Sequence, residues 1–370
     1  MFVLDTIFYT FIIVVFIQLI YYGLIFSRFA FAKHKKEVQK NIAVSVLICA
    51  KNEAENLELN LPHILEQDYP DFEVVLINDT SNDNTLDVMK SFQSKHKNIK
   101  IVDVKPIEKF WGSKKYALTL GIKAASHNFL LFTDADCKPL SKKWIKSMSS
   151  HFSNDKTLIV GYGAYKKQKN SLLNKLIRFE TLLTAIQYFS YTKIGLPYMA
   201  VGRNLAYRKE EFFKASGFMS HMNVRSGDDD LFINQVANSK NTAICFSKNS
   251  FTESLPETTF KDWINQKKRH VSSSKYYKTK HKLLLSLFYI SQLLFWSLSI
   301  TLIAFLWHWQ IVLALFLIRV ITQYISFRLS AKRLNERDTL QLLPFLELFL
   351  IVSQLFIFIS NLSSKNSRWK

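Results

Sequence analysis

Long runs of apolar residues without a charge lie near the two ends of the chain. The first run covers residues 6–26 and the second covers residues 283–307. Two more follow at 309–327 and 342–362, each interrupted by a single charged residue. A helix of about 20 apolar residues crosses the hydrocarbon core of a bilayer. The pattern therefore predicts one membrane helix before the central segment and about three after it.

The two interrupting charges are Arg319 and Glu347, which would lie at comparable depth from the same membrane face. Isolated charges at such a depth are costly, and charged side chains in membrane helices therefore pair with one another. We expect Arg319 to pair with Glu347. An alternative is that Arg319 holds the phosphate of a lipid.

Basic residues are concentrated between the first and second apolar runs. Residues 27–282 contain 41 Lys and Arg against 25 Asp and Glu, which accounts for 16 of the formal net charge of +20. By the positive-inside rule this segment lies in the cytoplasm, although three basic residues in the C-terminal tail disagree weakly. We expect a multi-pass membrane protein with an N-terminal membrane helix at 1–27, a cytoplasmic globular domain at 28–259, a basic interfacial helix segment at 260–282 and a C-terminal membrane region at 283–370.

Short apolar runs alternate with helical patterns in the central segment. Apolar strands are expected at Val44–Ala50, 73–78, Ile99–Val104 and 129–133, with helices at 52–66, from a cap at Ser81 or Asp83 to about Lys95, and at 113–125. Continuous apolar strands separated by helices are typical of a parallel sheet covered on both faces. The predicted fold class is therefore α/β, with a doubly wound sheet.

Acidic and amide side chains follow the ends of these strands, where ligands bind in such sheets. They lie in Lys51-Asn52-Glu53, in Asn78-Asp79 and in Asp134-Ala135-Asp136. Carboxylates gathered at one edge repel one another unless a cation or a basic side chain lies among them. The Asp134/Asp136 spacing is typical of a site for Mg²⁺ or Mn²⁺ that also grips a diphosphate. Each acidic residue could instead cap a helix, and Asp83 fits that role at least as well.

At these positions the sequence resembles the family 2 glycosyltransferases, in particular the membrane-bound branch with polysaccharide synthases and ceramide glucosyltransferases. The resemblance spans about residues 42–275 and implies the GT-A fold for the domain at 28–259. The motifs that carry it are Ala50-Lys51-Asn52-Glu53, Ile77-Asn78-Asp79-Thr80-Ser81-Asn82-Asp83-Asn84-Thr85, Lys114-x-x-Ala117-Leu118, Thr133-Asp134-Ala135-Asp136, Gly202-Arg203-Asn204-Leu205-Ala206-Tyr207-Arg208, Gly227-Asp228-Asp229-Asp230-Leu231 and Gln266-Lys267-Lys268-Arg269-His270.

The resemblance implies a nucleotide-sugar donor, most often a UDP-hexose or UDP-N-acetylhexosamine. Glu53 and Asp79 would contact the uridine, and Lys114 would lie near the base or the phosphates. Asp134 would lie near the ribose or the metal, and Asp136 would bind Mg²⁺ or Mn²⁺ directly. The implied donor-binding residues are Ala50, Asn52, Glu53, Asp79, Lys114, Asp134, Gln266 and Arg269.

The motif near residue 228 implies the general base. In the family, the Asp that follows a Glu takes the proton of the acceptor hydroxyl. Matching the downstream Leu231 gives this role to Asp228 and puts Gly227 at the Glu position, which leaves Asp229 as the alternative base. Direct displacement with one base implies inversion at the anomeric carbon.

The last motif implies a diphosphate contact from Arg269, which we count among the catalytic residues. His270 stands where the family has Trp, so the acceptor-stacking role of that position is in doubt here. His270 could be no more than a polar helix residue. The implied acceptor-binding residues are Arg203, Asn204 and His270.

The basic excess could also serve nucleic acid, and the stretch 261–282 interleaves Lys and Arg with Trp263, Tyr276 and Tyr277. No nucleic-acid motif accompanies it. An interfacial helix against anionic lipid accounts for the same residues, as does solvated surface charge. We therefore expect membrane lipids and no nucleic acid among the partners.

These observations together predict a membrane-bound inverting glycosyltransferase. It would move a hexose or N-acetylhexosamine from a nucleotide sugar to a lipid-linked or membrane-proximal acceptor, at the cytoplasmic face of the inner membrane. The alternatives are a processive polysaccharide synthase of the same family, a non-catalytic nucleotide-sugar-binding membrane protein, and a nucleotidyl or phosphoryl transferase.

Overall fold

The computed structural model describes residues 1–34, 40, 42–105, 114–224 and 226–363, and it divides into two compact units. The α/β unit comprises Lys33–Lys169 and Gly195–Glu257. The helical unit comprises Met1–Ala32, Asn170–Ile194 and Thr258–Lys370. Residues 170–194, which we expected within the globular domain at 28–259, thus group with the apolar helices. The C-terminal tail and Ser113, the expected start of a helix, lie outside the described residues.

The strands of the α/β unit form one large sheet and one small sheet. The large sheet has the order β3-β2-β1-β4-β8-β6-β9, and the small one has the order β5-β10-β7. In chain order the strands are β1 (Val44–Ala50), β2 (Phe72–Asp79), β3 (Ile99–Val104), β4 (Phe129–Asp134), β5 (Cys137–Pro139), β6 (Leu158–Val160), β7 (Gly163–Tyr165), β8 (Leu205–Arg208), β9 (Thr242–Ile244) and β10 (Thr252–Ser254).

Strands β1 to β4 are parallel neighbours, which confirms the predicted parallel sheet. The sheet continues differently on the other side of β4, because β8 runs antiparallel to both β4 and β6. The prediction did not include β8. It has only four residues, and its place beside β4 depends on long-range pairing rather than on a local pattern.

The helices belong to both units. In chain order they are α1 (Phe2–Leu19), α2 (Ser27–Ala30), α3 (Ala54–Leu65), α4 (Thr85–Lys95), α5 (Lys114–Ala124), α6 (Trp144–Ser149), α7 (Leu172–Lys193), α8 (Lys209–Lys214), α9 (Asp230–Val236), α10 (Phe260–Ser274), α11 (Thr279–Ala304), α12 (Trp309–Leu334) and α13 (Leu343–Ser363).

The core of the α/β unit explains why β1 and β2 are apolar without alternation. Val46 and Val74 are fully buried on one face of the sheet, and Leu47 and Ile77 are fully buried on the other. Gly121 lets α5 approach β2 closely, since a Cβ there would lie 2.2 Å from the side chain of Ile77. This close packing holds the N-terminal end of α5, and with it Lys114, at the carboxyl edge of the sheet.

Four helical segments of the described chain are long and apolar enough to cross a membrane. This number confirms the prediction of one such segment before the globular domain and about three after it. The segments are Phe2–Ala30, Thr279–Ala304, Trp309–Leu334 and Arg337–Ser360.

Arg319 pairs with Glu347 inside the helical unit, which confirms the expected ion pair. The guanidinium donates from Nη2 to Oε1 at 2.6 Å and from Nη1 to Oε2 at 3.0 Å. Gln18, Tyr22 and Gln323 surround the same guanidinium as hydrogen-bond acceptors. All five side chains are buried or nearly so, so the polar groups that interrupt the apolar runs are paired with one another.

Candidate functional site

Two loops at the carboxyl edge of the sheet hold each other in place. The loop after β1 contains Asn52 and the loop after β2 contains Thr80, with φ values of 57° and 54°. Asn52 accepts a hydrogen bond from the backbone N–H of Asn82 at 2.8 Å. Thr85 accepts one from the backbone N–H of Glu53 at 2.8 Å. The side chains between β2 and α4 therefore position the loop that carries Glu53.

Asp83 belongs to the same cross-link. Its carboxylate accepts hydrogen bonds from the backbone N–H of Thr85 at 3.0 Å and from that of Ala54 at 3.3 Å. These are orphan donors near the first turns of α4 and α3, and satisfying them stabilises helix starts. Asp83 thus stabilises the start of α4, which is the structural role that the sequence left open. The N-cap position itself is occupied by Asn84.

The ammonium of Lys114 lies between two carboxylates at this edge. Its Nζ is 2.8 Å from Oδ1 of Asp134 and 3.3 Å from Oδ2 of Asp228. Burial acts to lower the pKa of Lys114, but Asp134 and Asp228 together raise it well above its usual range. The expectation of a positive group among the acidic residues is therefore confirmed, and Lys114 is that group.

Asp79 is buried at the end of β2, and Glu53 is partly buried in the loop after β1. Burial raises the pKa of Asp79, while Lys51 and Lys114 oppose that rise. Burial also raises the pKa of Glu53, whose carboxylate accepts a hydrogen bond from Asn56 at 2.6 Å. Burial removes part of the hydration of both carboxylates, and a polar ligand bound beside them could make hydrogen bonds in place of that water. Ala50, at the end of β1, is buried, and its expected contact with the donor stays a prediction.

Asp134, Asp136 and Cys137 place one potential ligand atom each within 4.8 Å of one another. Burial first, and the Asp134 carboxylate second, raise the pKa of Asp136. A divalent cation would relieve that repulsion. The buried Cys137 thiol donates to Asp136 at 3.3 Å, and its pKa is well above the usual range, so it remains a thiol. The two carboxylates therefore match a hard cation, with Cys137 supporting one of them.

Asp228 and Asp229 are adjacent in sequence but differ in their bonding. The carboxylate of Asp229 accepts backbone hydrogen bonds from Gly202 at 2.6 Å and from Asp230 at 2.7 Å, and so caps α9. Burial and the carboxylates of Asp228 and Asp230 raise the pKa of Asp229 to about 8. The carboxylate of Asp228 instead faces Lys114. The geometry therefore leaves Asp228, and not Asp229, open to an incoming group.

Gly227 departs from the Glu of the family motif for a backbone reason. Its φ is +97°, a conformation that strains residues with a Cβ. A Cβ at this position would also lie 2.5 Å from the side chain of Leu231. The loop that presents Asp228 thus takes a path that a Glu at residue 227 would not follow.

Lys115 is a site residue that the sequence analysis missed. Its side chain is only 2% exposed, and its Nζ donates to the carbonyls of His221, Val224 and Ser226, each at 2.8 Å. These carbonyls lie in the segment just before Asp228. A signal was present, because Lys115 shares the i, i+3, i+7 face of α5 with the buried Leu118 and Ile122. A lysine on an apolar helix face requires buried acceptors.

Asn204 does not fit the acceptor role that the resemblance implied. Asn204 is fully buried, donates to the carbonyls of Tyr162 and Ser250, and accepts from Trp144. A buried amide with its polar atoms paired does not contact an acceptor, so we correct that assignment to a structural one.

The guanidinium of Arg203 joins two strands of the small sheet. It donates to the carbonyls of Gly163 and Ala164 in β7 and to the hydroxyl of Ser254 in β10. It also lies over the ring of Tyr165, with 4.2 Å from Cζ to the ring centroid. Arg203 therefore links β7 to β10, and its acceptor-binding role stays a prediction.

Gln266, Arg269 and His270 lie on α10, in the helical unit. Arg269 and His270 are exposed, whereas Gln266 is partly buried. The neighbouring Lys267 forms an ion pair with Glu180 of α7, and Trp263 is buried. The roles expected of the three motif residues toward donor and acceptor stay predictions.

A small pocket marks where the α/β unit brings its site residues together. Lys114, Asp134, Asp228 and Asp229 line it, together with Gly202 and apolar side chains of the sheet. One ammonium and three carboxylates thus converge on one space. The pocket measures only about 20 Å³, so it marks the place where these groups meet and is too small for a whole nucleotide sugar.

Comparisons with known proteins agree with this geometry. The sequence model described as glycosyl transferase family 2 matches residues 45–223. The chain is 35% identical over 102 residues to a poly-β-1,6-N-acetyl-D-glucosamine synthase of Staphylococcus epidermidis, covering 28% of this chain and 24% of that protein. It is 32% identical over 120 residues to glycosyltransferase AglE of Haloferax volcanii, covering 32% of this chain and 38% of that protein.

These matches span well under half the length of the curated relatives. The solved structure of mannosyltransferase PcManGT from Pyrobaculum calidifontis, in complex with GDP-Man and Mn²⁺, aligns with a TM-score of 0.59 at 17% identity. That alignment covers 90% of this chain and 98% of that chain, and at this identity it shows a shared fold. The chain therefore matches the glycosyl transferase family 2 model over residues 45–223, and its α/β unit has the GT-A fold.

Proposed function

We propose that this protein is a membrane-bound inverting glycosyltransferase. It moves a hexose or N-acetylhexosamine from a nucleotide sugar, of the uridine class, to a lipid-linked or membrane-proximal acceptor. The observation that carries the proposal is the position of the Lys114 ammonium between Asp134 on the metal side and Asp228 on the open side. Relatives named as glycosyltransferases and polysaccharide synthases support the same reaction class.

The donor half of the site would consist of Glu53, Asp79, Lys114, Asp134 and Asp136. A divalent cation, Mg²⁺ or Mn²⁺, would be held by Asp134 and Asp136, whose oxygens suit hard metals. When bound, such an ion stabilises the negative charge that develops on the leaving diphosphate. Lys114 would add a second positive charge close to the same oxygens, since it already contacts Asp134. That placement matches the need for cations at a developing phosphate charge.

The acceptor half would rest on Asp228. An attacking hydroxyl must lose its proton as the new glycosidic bond forms, and a carboxylate within hydrogen-bond reach can accept it. Both oxygens of Asp229 already accept backbone N–H groups, so they are less accessible to an acceptor hydroxyl than the carboxylate of Asp228. Attack from the face opposite to the departing diphosphate, with one base, inverts the anomeric carbon. Lys115 would keep Asp228 in position through the three carbonyls that it binds.

The second candidate function is a processive polysaccharide synthase. It is favoured by the relative at 35% identity, whose name describes a polymer-forming enzyme. His270 in place of the family's Trp disfavours it, because the acceptor-stacking residue is missing. The length of the product from a radiolabelled donor separates the two candidates: products of one or a few sugars support single transfer, and a high-molecular-weight product supports the synthase.

The four long apolar helices also support a proposal for the localisation of the protein. We propose a multi-pass protein of the inner membrane with the α/β unit in the cytoplasm, where nucleotide sugars are made. Labelling of a cysteine introduced beside His308 by a membrane-impermeant reagent in whole cells would support this orientation. Protection of that cysteine, together with labelling of one in the α/β unit, would contradict it.

The central test measures nucleotide release by the detergent-solubilised protein with a panel of UDP- and GDP-sugars. Release of UDP supports the proposal, whereas UMP or pyrophosphate would indicate a nucleotidyl or phosphoryl transferase. Asp228→Asn should abolish transfer and leave UDP binding intact. Asp87→Asn is the matched control, because Asp87 is an exposed carboxylate of α4 whose ion pair with Lys90 is long, at 4.0 Å. Unchanged turnover in Asp228→Asn would refute the assignment of the base.

A further inference from the structure

A pocket of about 500 Å³ opens at the end of the first membrane-type segment. It lies entirely within the helical unit and is separate from the acidic site of the α/β unit. It is an open depression on the surface rather than an enclosed cavity, so a ligand there would stay partly exposed. Its lining residues are Leu24, Ser27, Arg28, Phe31 and Lys193.

The walls of the pocket are held by packing between α2 and α7. The rings of Phe29 and Phe189 lie 4.8 Å apart between centroids, and both residues are fully buried. Arg333 donates to the carbonyl of Ala30 at 2.9 Å, which fixes the end of α2 from another side. Arg28 on α2 and Lys193 at the end of α7 are thus presented by elements in fixed contact.

Neither Arg28 nor Lys193 forms an ion pair or a side-chain hydrogen bond within the described parts of the chain, and both are exposed. Two cations therefore face the same pocket without a carboxylate to neutralise them. Leu24 and Phe31 beside them are 62% and 64% exposed. A ligand that contacts all four side chains favourably needs a negative charge for Arg28 and Lys193 and an apolar part for Leu24 and Phe31.

The position along the chain points to the membrane interface. Leu24 and Arg28 both belong to the segment Phe2–Ala30, which is long and apolar enough to cross a membrane. Arg28 follows directly after the apolar run, where basic residues meet lipid headgroups. Basic pockets between membrane helices on the cytoplasmic side bind anionic headgroups.

We propose that this pocket binds the phosphate of an anionic membrane lipid. Arg28 and Lys193 contact the phosphate oxygens, and Leu24 and Phe31 contact the start of the hydrocarbon chain. The phosphate could belong to an anionic phospholipid or to a lipid-linked acceptor, since both carry the same group next to an apolar chain. The inference does not require the transfer reaction and stands or falls independently of it.

The test measures lipid binding to the full-length protein by native mass spectrometry or by fluorescence with phosphatidylglycerol, phosphatidylcholine and a polyprenyl phosphate. The double variant Arg28→Gln/Lys193→Gln should weaken binding of an anionic lipid by about 30-fold, from the contribution of two basic residues near the interface. Lys193→Arg keeps the charge and should bind like the wild type. Arg328→Gln/Lys332→Gln is the control, since it removes the same charges from exposed positions on α12.

Each outcome decides the proposal. A loss confined to Arg28→Gln/Lys193→Gln supports it, and the lipid that is lost identifies the source of the phosphate. An equal loss in Arg328→Gln/Lys332→Gln would show that net charge alone attracts the lipid and would overturn it. Equal binding of phosphatidylcholine and phosphatidylglycerol, or displacement of the anionic lipid by inorganic phosphate at similar concentration, would also overturn it.

Discussion

Replacing Arg319 by leucine removes the charge at the centre of a buried polar network in the helical unit. The guanidinium donates to Glu347 through two hydrogen bonds, to Gln18 through two, and to Gln323 and Tyr22 through one each. These partners come from three of the four membrane-type segments. The substitution therefore perturbs the packing of several helices from one position.

The size of the effect follows from what each variant leaves unpaired. Removing one partner of a buried ion pair costs about 3–5 kcal/mol, because the other charge stays buried. In Arg319→Leu, Glu347 keeps hydrogen bonds from Gln292 at 2.9 Å and from Tyr22 at 3.2 Å. In Glu347→Leu, the guanidinium stays charged and keeps only neutral partners. We expect Glu347→Leu to cost at least as much as Arg319→Leu.

The double variant separates pairing from simple packing. Arg319→Leu/Glu347→Leu leaves no buried charge, so it should cost much less than the sum of the two single variants. The measurement is the apparent free energy of unfolding of the detergent-solubilised protein in a denaturing-detergent titration. Arg328→Leu, at an exposed position of the same helix, is the control and should change that free energy by less than about 0.5 kcal/mol. Additive costs in the double variant, or an Arg319→Leu value like that of the control, would refute the reasoning.

Three further predictions concern the α/β unit. Asp136→Asn should weaken Mn²⁺ binding, measured by calorimetry, by about tenfold or more, because it removes one of two carboxylates; unchanged affinity would place the metal elsewhere. Lys115→Met keeps the aliphatic part of the side chain but removes three hydrogen bonds, so the free energy of unfolding should fall by about 1–3 kcal/mol. The kcat should also fall, with little change in the KM for the donor. A change in KM alone would contradict a positioning role. The pKa of Asp229 rises from an ordinary value near 4 to about 8 on folding, so Asp229 binds its proton more tightly in the folded state. The free energy of unfolding should therefore fall as pH rises between those values, by at most about 1.4 kcal/mol per pH unit. The same slope in a thermal-unfolding series of Asp229→Asn would refute this.

Each of these three has a matched control in the same unit. Asp83→Asn alters a carboxylate with a structural role and should leave Mn²⁺ affinity unchanged. Lys123→Met, on the same helix as Lys115 but exposed, should leave both stability and kcat unchanged. For the pH series, Asp87→Asn should retain the wild-type slope, because that carboxylate is 77% exposed.

Local pattern was sufficient for the outline of the fold. Strands β1 and β3 lie where the apolar runs predicted them, β2 is one residue longer at each end, and β4 is one residue longer at its C-terminal end. The apolar runs likewise identified the four membrane-type segments. Both features depend on residues that are near neighbours in the chain, because burial on both faces of a strand or around a helix leaves an uninterrupted apolar stretch.

Residue type and motif order indicated which side chains form the site, but not which ion pairs and hydrogen bonds they make. Asp134 and Asp228 both reach Lys114, although they lie 20 and 114 positions further along the chain. The same motifs suggested that Asn204 contacts an acceptor, and the fold buries it instead. A sequence pattern does not distinguish a polar side chain that faces a ligand from one that satisfies backbone groups.

The sequence by itself determined the apolar segments, the parallel half of the sheet and the identity of the acidic edge. The tertiary structure decided that Asp228 stays open while Asp229 caps a helix, that Lys115 holds the loop before them, and that Arg28 and Lys193 share a pocket. These outcomes depend on which donors and acceptors meet across long sequence separations. The cost of leaving a buried polar group unpaired then selects each partner.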